Sequence, residues 1–462
     1  MNKQSAENFA ISRAALRASR FGGMLSRYPR ALGWVRRLML PLAIQDENSF
    51  NKHFRFFILL AGCAMSDPKD LRALGILSRD LNAYMENVMD EASDKPMVWS
   101  EWNLSNEILR AFDVRQYVPE TFAIVSQMAG SDAAVEMIER AEDEGMAPEH
   151  CSAAKTAVGA LLSNEAPMPD VIISSSHPCD SVASSYQTLQ YMTKAPMFVL
   201  DTPYWDDEKS FKHYENNLWD LITFLEKHLE QKLDWDKLRE ICENVNQTNH
   251  YLQELSEMSR AVPSPTSVEP LLLSWLGRMA AFGSPNGMEF AELVHANARE
   301  RLRKKRSFIN NEKIRMIWYD VPLVFAPLFP WLEKKFGAVV VSDFMGRIQT
   351  VPIDTSSPET MVRDLAKTHL YCTMVRHTRG PAEFYLEEFK KIIDEYSGDC
   401  FIFMGHQGCK GGWALRKMFR DVCREAGLPS LFVSSDIFDK RHVTEEEVKR
   451  QFEDFFRSNG LA

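Results

Sequence analysis

Residues 169–181 read PDVIISSSHPCDS, and residues 399–411 read DCFIFMGHQGCKG. Each is a short apolar run that breaks into a loop carrying a His and then a Cys. Such a run, bounded by turn residues, fits a strand buried on both faces, as in parallel sheets. Helical spacing follows each loop, in SVASSYQTLQYM (181–192) and WALRKMFRDVCREAGLP (413–429). New apolar runs come next, APMFVLDTPYW (195–205) and SLFVSSDIFD (430–439). Strand, helix, strand is the grammar of a parallel sheet with helices on its faces. The second series starts earlier, with KIRMIWYDVP (313–322) and AVVVSDFMG (338–346) as strands around the helix LFPWLEKKFG (328–337). EFYLEEFKKIIDEYSG (383–398) adds a helix.

The expected fold is α/β: a helical N-terminal region followed by two similar parallel-sheet domains of flavodoxin or Rossmann type. Residues 1–50 form a basic arm and 51–165 a helical region, since 46–160 read mainly as helix. Residues 166–265 form the first α/β domain with a helical extension, 266–310 a helical crossing and 311–462 the second α/β domain. AVPSPTSVEP (261–270) reads as the linker.

The chain has 462 residues, 45% of them hydrophobic and 26% charged, which excludes disorder or a collagen-like repeat as a reading of the whole. Its 54 Lys+Arg against 64 Asp+Glu give a net charge of −10, which argues against nucleic acid as a partner. The basic run RERLRKKR (299–306) reads as a solvated helix face. No apolar run approaches the roughly 20 residues of a membrane span. The longest candidate, FFILLAGCAM (56–65), reads as a buried helix segment. Residues 1–45 hold eight Lys/Arg against one acid, Glu7. That pattern suits a helical arm docked on the protein's own body or on a partner, or else a transit peptide or membrane-surface contact. The eight cysteines form no CxxC pair, and a chain of this size needs no disulfide framework, so a reduced, cytoplasmic protein is expected.

Cys179 and Cys409 lie beyond strand ends, where open α/β sheets bind ligands. Cys151, in APEHCSAAK (147–155), opens a predicted helix, whose free N–H groups favour a thiolate. Three thiolates from three segments suit a soft metal centre such as an iron–sulfur cluster. The alternative is that each is a small buried hydrophobe. Cys423, on the apolar face with Leu415, Phe419 and Val422, and Cys400, at a strand start, read as core. Cys63, Cys242 and Cys372 lie in helical or apolar contexts. No P-loop, G-x-G-x-x-G or HExxH is present, so neither ATP nor a dinucleotide is expected on this chain.

From about Lys95 to the C-terminus the sequence resembles the 2-hydroxyacyl-CoA dehydratase/benzoyl-CoA reductase family. The blocks that carry the resemblance are VWSEWNLSNEILRAFDVRQYVPE, AEDEGMAPEHCSAAKTAVG, PDVIISSSHPCDS, LDTPYW, GHQGCKGGWALRKMF and VSSDIFDKR. In that family three cysteines hold one [4Fe–4S] cluster in each of two related subunits. The resemblance assigns this role to Cys151, Cys179 and Cys409. It implies an oxygen-sensitive enzyme acting on an acyl-CoA. One low-potential electron forms a ketyl radical anion, which expels the 2-hydroxyl and acidifies the β-proton. It also implies a related second subunit, as a heterodimer or a homodimer, and a separate iron–sulfur ATPase as activator. The alternatives are an aryl-CoA reductase subunit or a non-catalytic, cluster-bearing scaffold.

The family dehydratases also use a Ser and a Glu in the early block. Glu120 matches the Glu, although an acid after Pro119 also suits a helix start. The Ser position falls on Trp102, with Ser100 two residues earlier, so the substrate-binding hydroxyl has no direct counterpart. His177 and His406 are candidate donors to cluster sulfurs or loop-packing residues. Lys410 is a candidate partner of CoA phosphates or of the cluster charge, or a solvated Lys. Arg376 and Arg379 suit a phosphate or carboxylate but read slightly better as surface residues. Asp201 and Asp436 read as loop or helix caps.

Overall fold

A computed structural model describes residues 9–28, 68–102, 104, 106–129, 131–271, 282–321, 323–344 and 351–462. Cys63 and the apolar segment 56–65 lie outside these residues, as do 1–8 and 29–50 of the basic arm. Two four-stranded parallel sheets organise the molecule. The first comprises β1 (Met97–Ser100), β2 (Arg115–Tyr117), β3 (Val171–Ser175) and β4 (Met197–Leu200), in the order β2-β1-β3-β4. The second comprises β5 (Ile314–Tyr319), β6 (Ala338–Asp343), β7 (Cys400–His406) and β8 (Ser430–Ser435), in the order β6-β5-β7-β8. The two series therefore share one strand order, with its reversal between β1 and β3 in one sheet and between β5 and β7 in the other.

Alternate side chains of each strand feed different cores, as the pleat requires. Val98, Val171 and Ile173 enter one cluster of the first sheet, while Met97, Trp99 and Ile172 enter another. In the second sheet Met316, Trp318, Cys400 and Ile402 face one way, and Ile317, Tyr319, Phe401 and Phe403 the other. Burial on both faces is why these strands read as near-continuous apolar runs. Arg315 is the exception within β5, and its buried guanidinium donates to the carbonyls of Ser259, Ala261, Tyr396 and Ser397 and to Glu312.

The described part of 46–160 is mainly helical, as expected, but it also contributes the strands β1 and β2, which the sequence reading did not single out. They span 4 and 3 residues, too few for a periodic signal, and exist because β3 offers β1 a pairing edge. The helix Pro358–Leu370 also crosses between the series, since Met361, Val362 and Leu365 pack into the first core beside Leu221 and Leu225. In the described part of the basic arm, Ala10–Ser26 is a helix whose Ala15 and Leu16 pack with Met85 and Phe122. Its N-terminus is capped from afar: the Glu165 carboxylate accepts from Ile11 N (2.8 Å) and from Ser12 N and Oγ (3.1 Å each). No helix among the described residues is long and apolar enough to cross a membrane.

Candidate functional site

Ligands of open α/β sheets gather where the strand order reverses. At the first reversal, β3 runs through Ser176–Pro178 to Cys179, the N-cap of the helix Asp180–Thr193. At the second, β7 runs through Gln407–Gly408 to Cys409, the N-cap of the helix Lys410–Glu425. Cys151 is the N-cap of a third helix, Ser152–Leu162. No oxygen or nitrogen side chain caps any of the three helices, so a cysteine occupies each N-cap position.

The three thiols are brought together. Cys151 acts electrostatically on Cys179, and both act on Cys409. Close approach of the segments depends on Gly408, where a Cβ would lie 2.4 Å from Cys151 Cα. Exposure separates these cysteines from the rest. Cys151, Cys179 and Cys409 are partly accessible, whereas Cys242, Cys372, Cys400 and Cys423 are buried among the described residues. Cys400 and Cys423 lie in the cores of the second sheet, as the sequence suggested. Burial pushes the Cys179 thiol up to about 12 and raises Cys409 further, against the pull of helix N–H groups. Thiolates at this depth need a cation beside them.

Cys151 Sγ lies 3.2 Å from His406 Nε2. On the other side of the ring, His406 Nδ1 is 3.4 Å from Asp436 Oδ2. Burial alone would lower the His406 pKa, but Asp436, Cys151 and Asp320 outweigh it and raise it to about 10. Asp436 Oδ1 accepts from Ser152 Oγ (2.6 Å), Phe438 N (3.0 Å) and Asp439 N (2.8 Å), so the expected loop cap also reaches the Cys151 helix. His177, half-buried, has Ser176 Oγ 3.5 Å from Nδ1 and is depressed by burial and by Arg379. Lys410 is exposed and close enough to His150 to lower its pKa, after burial.

Glu120 is 4% exposed, in the turn Pro119–Thr121, and accepts from Tyr186 Oη at 3.1 Å. Its other oxygen, Oε1, is buried with no partner. Burial lifts this carboxyl to about 7, against the N–H groups of Glu120 itself and Trp102 and the Tyr186 hydroxyl. Trp102 is half-buried at the end of β1, and Ser100 is fully buried, accepting from Gln116 Nε2 at 2.8 Å. Arg379 corrects the surface reading. It is fully buried and donates to Trp205 O (3.0 Å), Leu370 O (3.2 Å) and Asp206 (2.7 Å), while Arg376 reaches the same Asp206 at 3.2 Å. The carboxylate these arginines hold belongs to the chain itself. Asp201 is exposed and pairs with His213 at 3.1 Å.

The sequence reading missed two acids. Glu101, fully buried just past β1, accepts from Ser175 N (3.1 Å) and Oγ (2.8 Å) at the end of β3. Asp320 holds the matching place past β5, at φ 78°, and accepts from the backbone of His406 at the end of β7. Each ties the two strands that flank a reversal. The signal was available for Asp320, an acid directly behind the apolar run IRMIWY, but Glu101 needed β1 to be recognised.

Among the described residues, no group of His, Cys, Asp or Glu converges as the ligands of a single metal ion do. A cluster makes a different demand, because its protein ligands bind separate irons. Three thiols at three helix starts fit a soft, multinuclear iron group in donor type and number.

The architecture and the site together define a double α/β chain with a thiol triad at the junction of its two series. Residues 101–458 match the family described as 2-hydroxyglutaryl-CoA dehydratase, D-component, and the chain belongs to that family. It is 25% identical over 379 residues to a benzoyl-CoA reductase subunit of Thauera aromatica, covering 76% of this chain and 86% of that one. It is 21% identical over 408 residues to the alpha subunit of lactoyl-CoA dehydratase from Anaerotignum propionicum, covering 79% and 93%. It is 20% identical over 365 residues to the (R)-phenyllactyl-CoA dehydratase alpha subunit of Clostridium sporogenes, covering 76% and 86%.

Proposed function

We propose that this chain is the iron–sulfur subunit of an oxygen-sensitive enzyme that removes water from a 2-hydroxyacyl-CoA by way of a ketyl radical. The observation that carries the reading is the gathering of Cys151, Cys179 and Cys409 at three helix N-termini, in a chain of this family. These cysteines would hold a [4Fe–4S] cluster. When bound, that group supplies single electrons at low potential and, with three protein thiolates, leaves one iron open as a Lewis acid.

The remaining work falls to the chain's own residues. Helix N–H groups offset negative charge at the thiolates. Glu120, buried and lifted to about 7, can hold or release a proton near neutral pH, as general acid–base catalysis requires. Trp102 contributes an apolar wall beside it, and Glu101, through Ser175, sets the path of the loop that ends at Cys179. Lys410, exposed next to Cys409, places a positive charge at the rim, suited to CoA phosphates. A related second subunit and a separate iron–sulfur ATPase complete the proposed system.

A second reading, reduction of an aryl-CoA ring, draws on two observations. Trp102 stands where the family dehydratases carry Ser, and one of the relatives named above belongs to a benzoyl-CoA reductase. The test begins with anaerobic purification, iron and sulfide analysis, and Mössbauer spectroscopy of the wild type and of Cys151→Ala, Cys179→Ala and Cys409→Ala. About four irons per chain, lost in these variants and kept in Cys423→Ala, support the triad. A reconstituted wild type without iron rejects the reading. Product analysis with partner, activator and reductant then separates an enoyl-CoA from a reduced ring. Unchanged turnover on mutating Glu120 and Trp102 would favour a scaffold role.

A further inference from the structure

The Cys151 helix belongs to the first series, but the contacts that fix its N-terminus come from the second. His406 ends β7 and Asp436 follows β8. Asp436 accepts from Ser152 Oγ at 2.6 Å, and Gly408 lets its loop lie directly on the Cys151 backbone. All three polar residues are buried: His406 is 5%, Asp436 4% and Ser152 0% exposed. A buried polar network of this kind is costly unless every member is satisfied, so its placement against one sulfur calls for a role.

The three sulfurs are not equivalent. Cys179 faces the N–H groups of Ser181 and Val182, and Cys409 faces that of Gly412, each in its own helix. Cys151 faces a side chain, His406 Nε2. The polarity of that bond follows from the ring's other nitrogen. Ile437 N–H lies 3.4 Å from Nδ1, and when Nδ1 accepts it the proton sits on Nε2. When Nδ1 instead carries a proton toward Asp436, the ring pairs with that carboxylate as imidazolium and keeps Nε2–H, which donates because a metal-bound thiolate has no hydrogen to give. Both arrangements aim an N–H at the sulfur.

We propose that His406, braced by Asp436, is a positioning residue for Cys151, and that its N–H···S bond raises the reduction potential of the iron–sulfur group this cysteine would hold. The inference rests on the function proposed above. Hydrogen bonds to ligand sulfurs withdraw electron density and favour the reduced state, and outer-shell partners fix how a ligand points. The bond also ties the redox site to the contact between the two series, because the donor ends a strand of the second and the ligand caps a helix of the first.

The test uses the full chain, purified and reconstituted without oxygen, as wild type, His406→Leu, His406→Gln and Asp436→Asn. Iron and sulfide content, circular dichroism and an EPR-monitored redox titration are read for each. The expected result for His406→Leu is wild-type iron content with a more negative midpoint. At the wild-type midpoint the reduced-to-oxidised ratio falls about tenfold, a shift of about 59 mV for one electron. Asp436→Asn shifts the same way by less, and His406→Gln, which keeps an N–H donor, recovers part of the loss. Loss of iron from Asp436→Asn and His406→Gln with folding unchanged also supports the positioning role. Unmoved midpoints in iron-loaded variants overturn the inference and leave the proposed function standing. General unfolding of both mild variants assigns the network to stability and overturns it as well. A wild type that holds no iron overturns both.

Discussion

A carboxylic acid with one oxygen bonded to a tyrosine and the other buried without a partner stays protonated longer than it would in water. Glu120 is such a group, with its pKa raised to about 7 by burial from an ordinary value of 4.5. The folded chain therefore binds more protons than the unfolded chain between those two values. Its contribution is greatest below about pH 4.5 and is lost as pH rises through 7, a difference of about 3 kcal/mol. Glu120→Gln is neutral at every pH, so the variant should be more stable than wild type at pH 8 by about 1–3 kcal/mol, as read by urea unfolding. Turnover of the assembled enzyme should fall by at least about a hundredfold if Glu120 moves a proton. Gly408→Ala makes a different demand. Its new Cβ would lie 2.4 Å from Cys151 Cα and 2.6 Å from its N, with no flexible side chain to yield. We expect about 1–3 kcal/mol of destabilisation and impaired iron loading, whereas Gly411→Ala, with nothing within 4 Å of the added carbon, should bind iron as wild type does.

The same logic scales to whole elements, because a helix is only as well placed as its ends. The helix Ala10–Ser26 has its first amides satisfied by Glu165, which lies beyond another helix in the chain. Glu165→Ala should loosen this helix by about 1 kcal/mol, seen as faster amide exchange over 10–26 with the sheets unaffected. Strand ends follow one design in both series: an acid past the first strand, Glu101 or Asp320, accepts from the end of the third. Glu101→Gln keeps the size and loses the charge, and Glu101→Ala removes the acceptor of the Ser175 N–H. The second should disturb Cys179 more, read as a larger fall in bound iron.

Across the molecule, the two series are fastened at several points, and these have unequal worth. Asp206, in the first series, is held by Arg379 and Arg376 from the second, and burial of its carboxyl is outweighed by them so that it stays below the usual carboxylate range. Arg379 is fully buried, so Arg379→Met removes a charge that Asp206 and two carbonyls depend on. The expected cost is about 1–3 kcal/mol, the range for leaving buried acceptors without their donor, because Asp206 is partly exposed and keeps Arg376, and it is measured as a lower urea midpoint. Asp206→Asn leaves the buried Arg379 charge without its carboxylate and should lower the midpoint at least as far. Breaking an exposed pair such as Lys417 with Asp421 should leave that midpoint where it is, because water and salt screen the two charges.

The local chemistry of the sequence determined a great deal. Apolar runs such as VIISS and CFIFM, long enough to be buried on both faces, announced parallel strands, and the loops behind them placed Cys179 and Cys409 at strand ends. Cys423 and Cys400 were legible as core from their apolar neighbours. The strands β1 and β2 were not legible, because segments of 4 and 3 residues carry no period and gain their stability from a pairing edge far along the chain. Arg379 looked like a surface residue because its partner, Asp206, lies 173 positions away. The grip of His406 and Asp436 on the Cys151 helix was hidden for the same reason, with separations of 255 positions from Cys151 to His406 and 284 from Ser152 to Asp436. Sequence fixes what a residue can do within its own turn or strand. Which distant charge, sulfur or backbone group it meets is settled only when the two sheets pack, because that meeting depends on burial and geometry that no local pattern encodes.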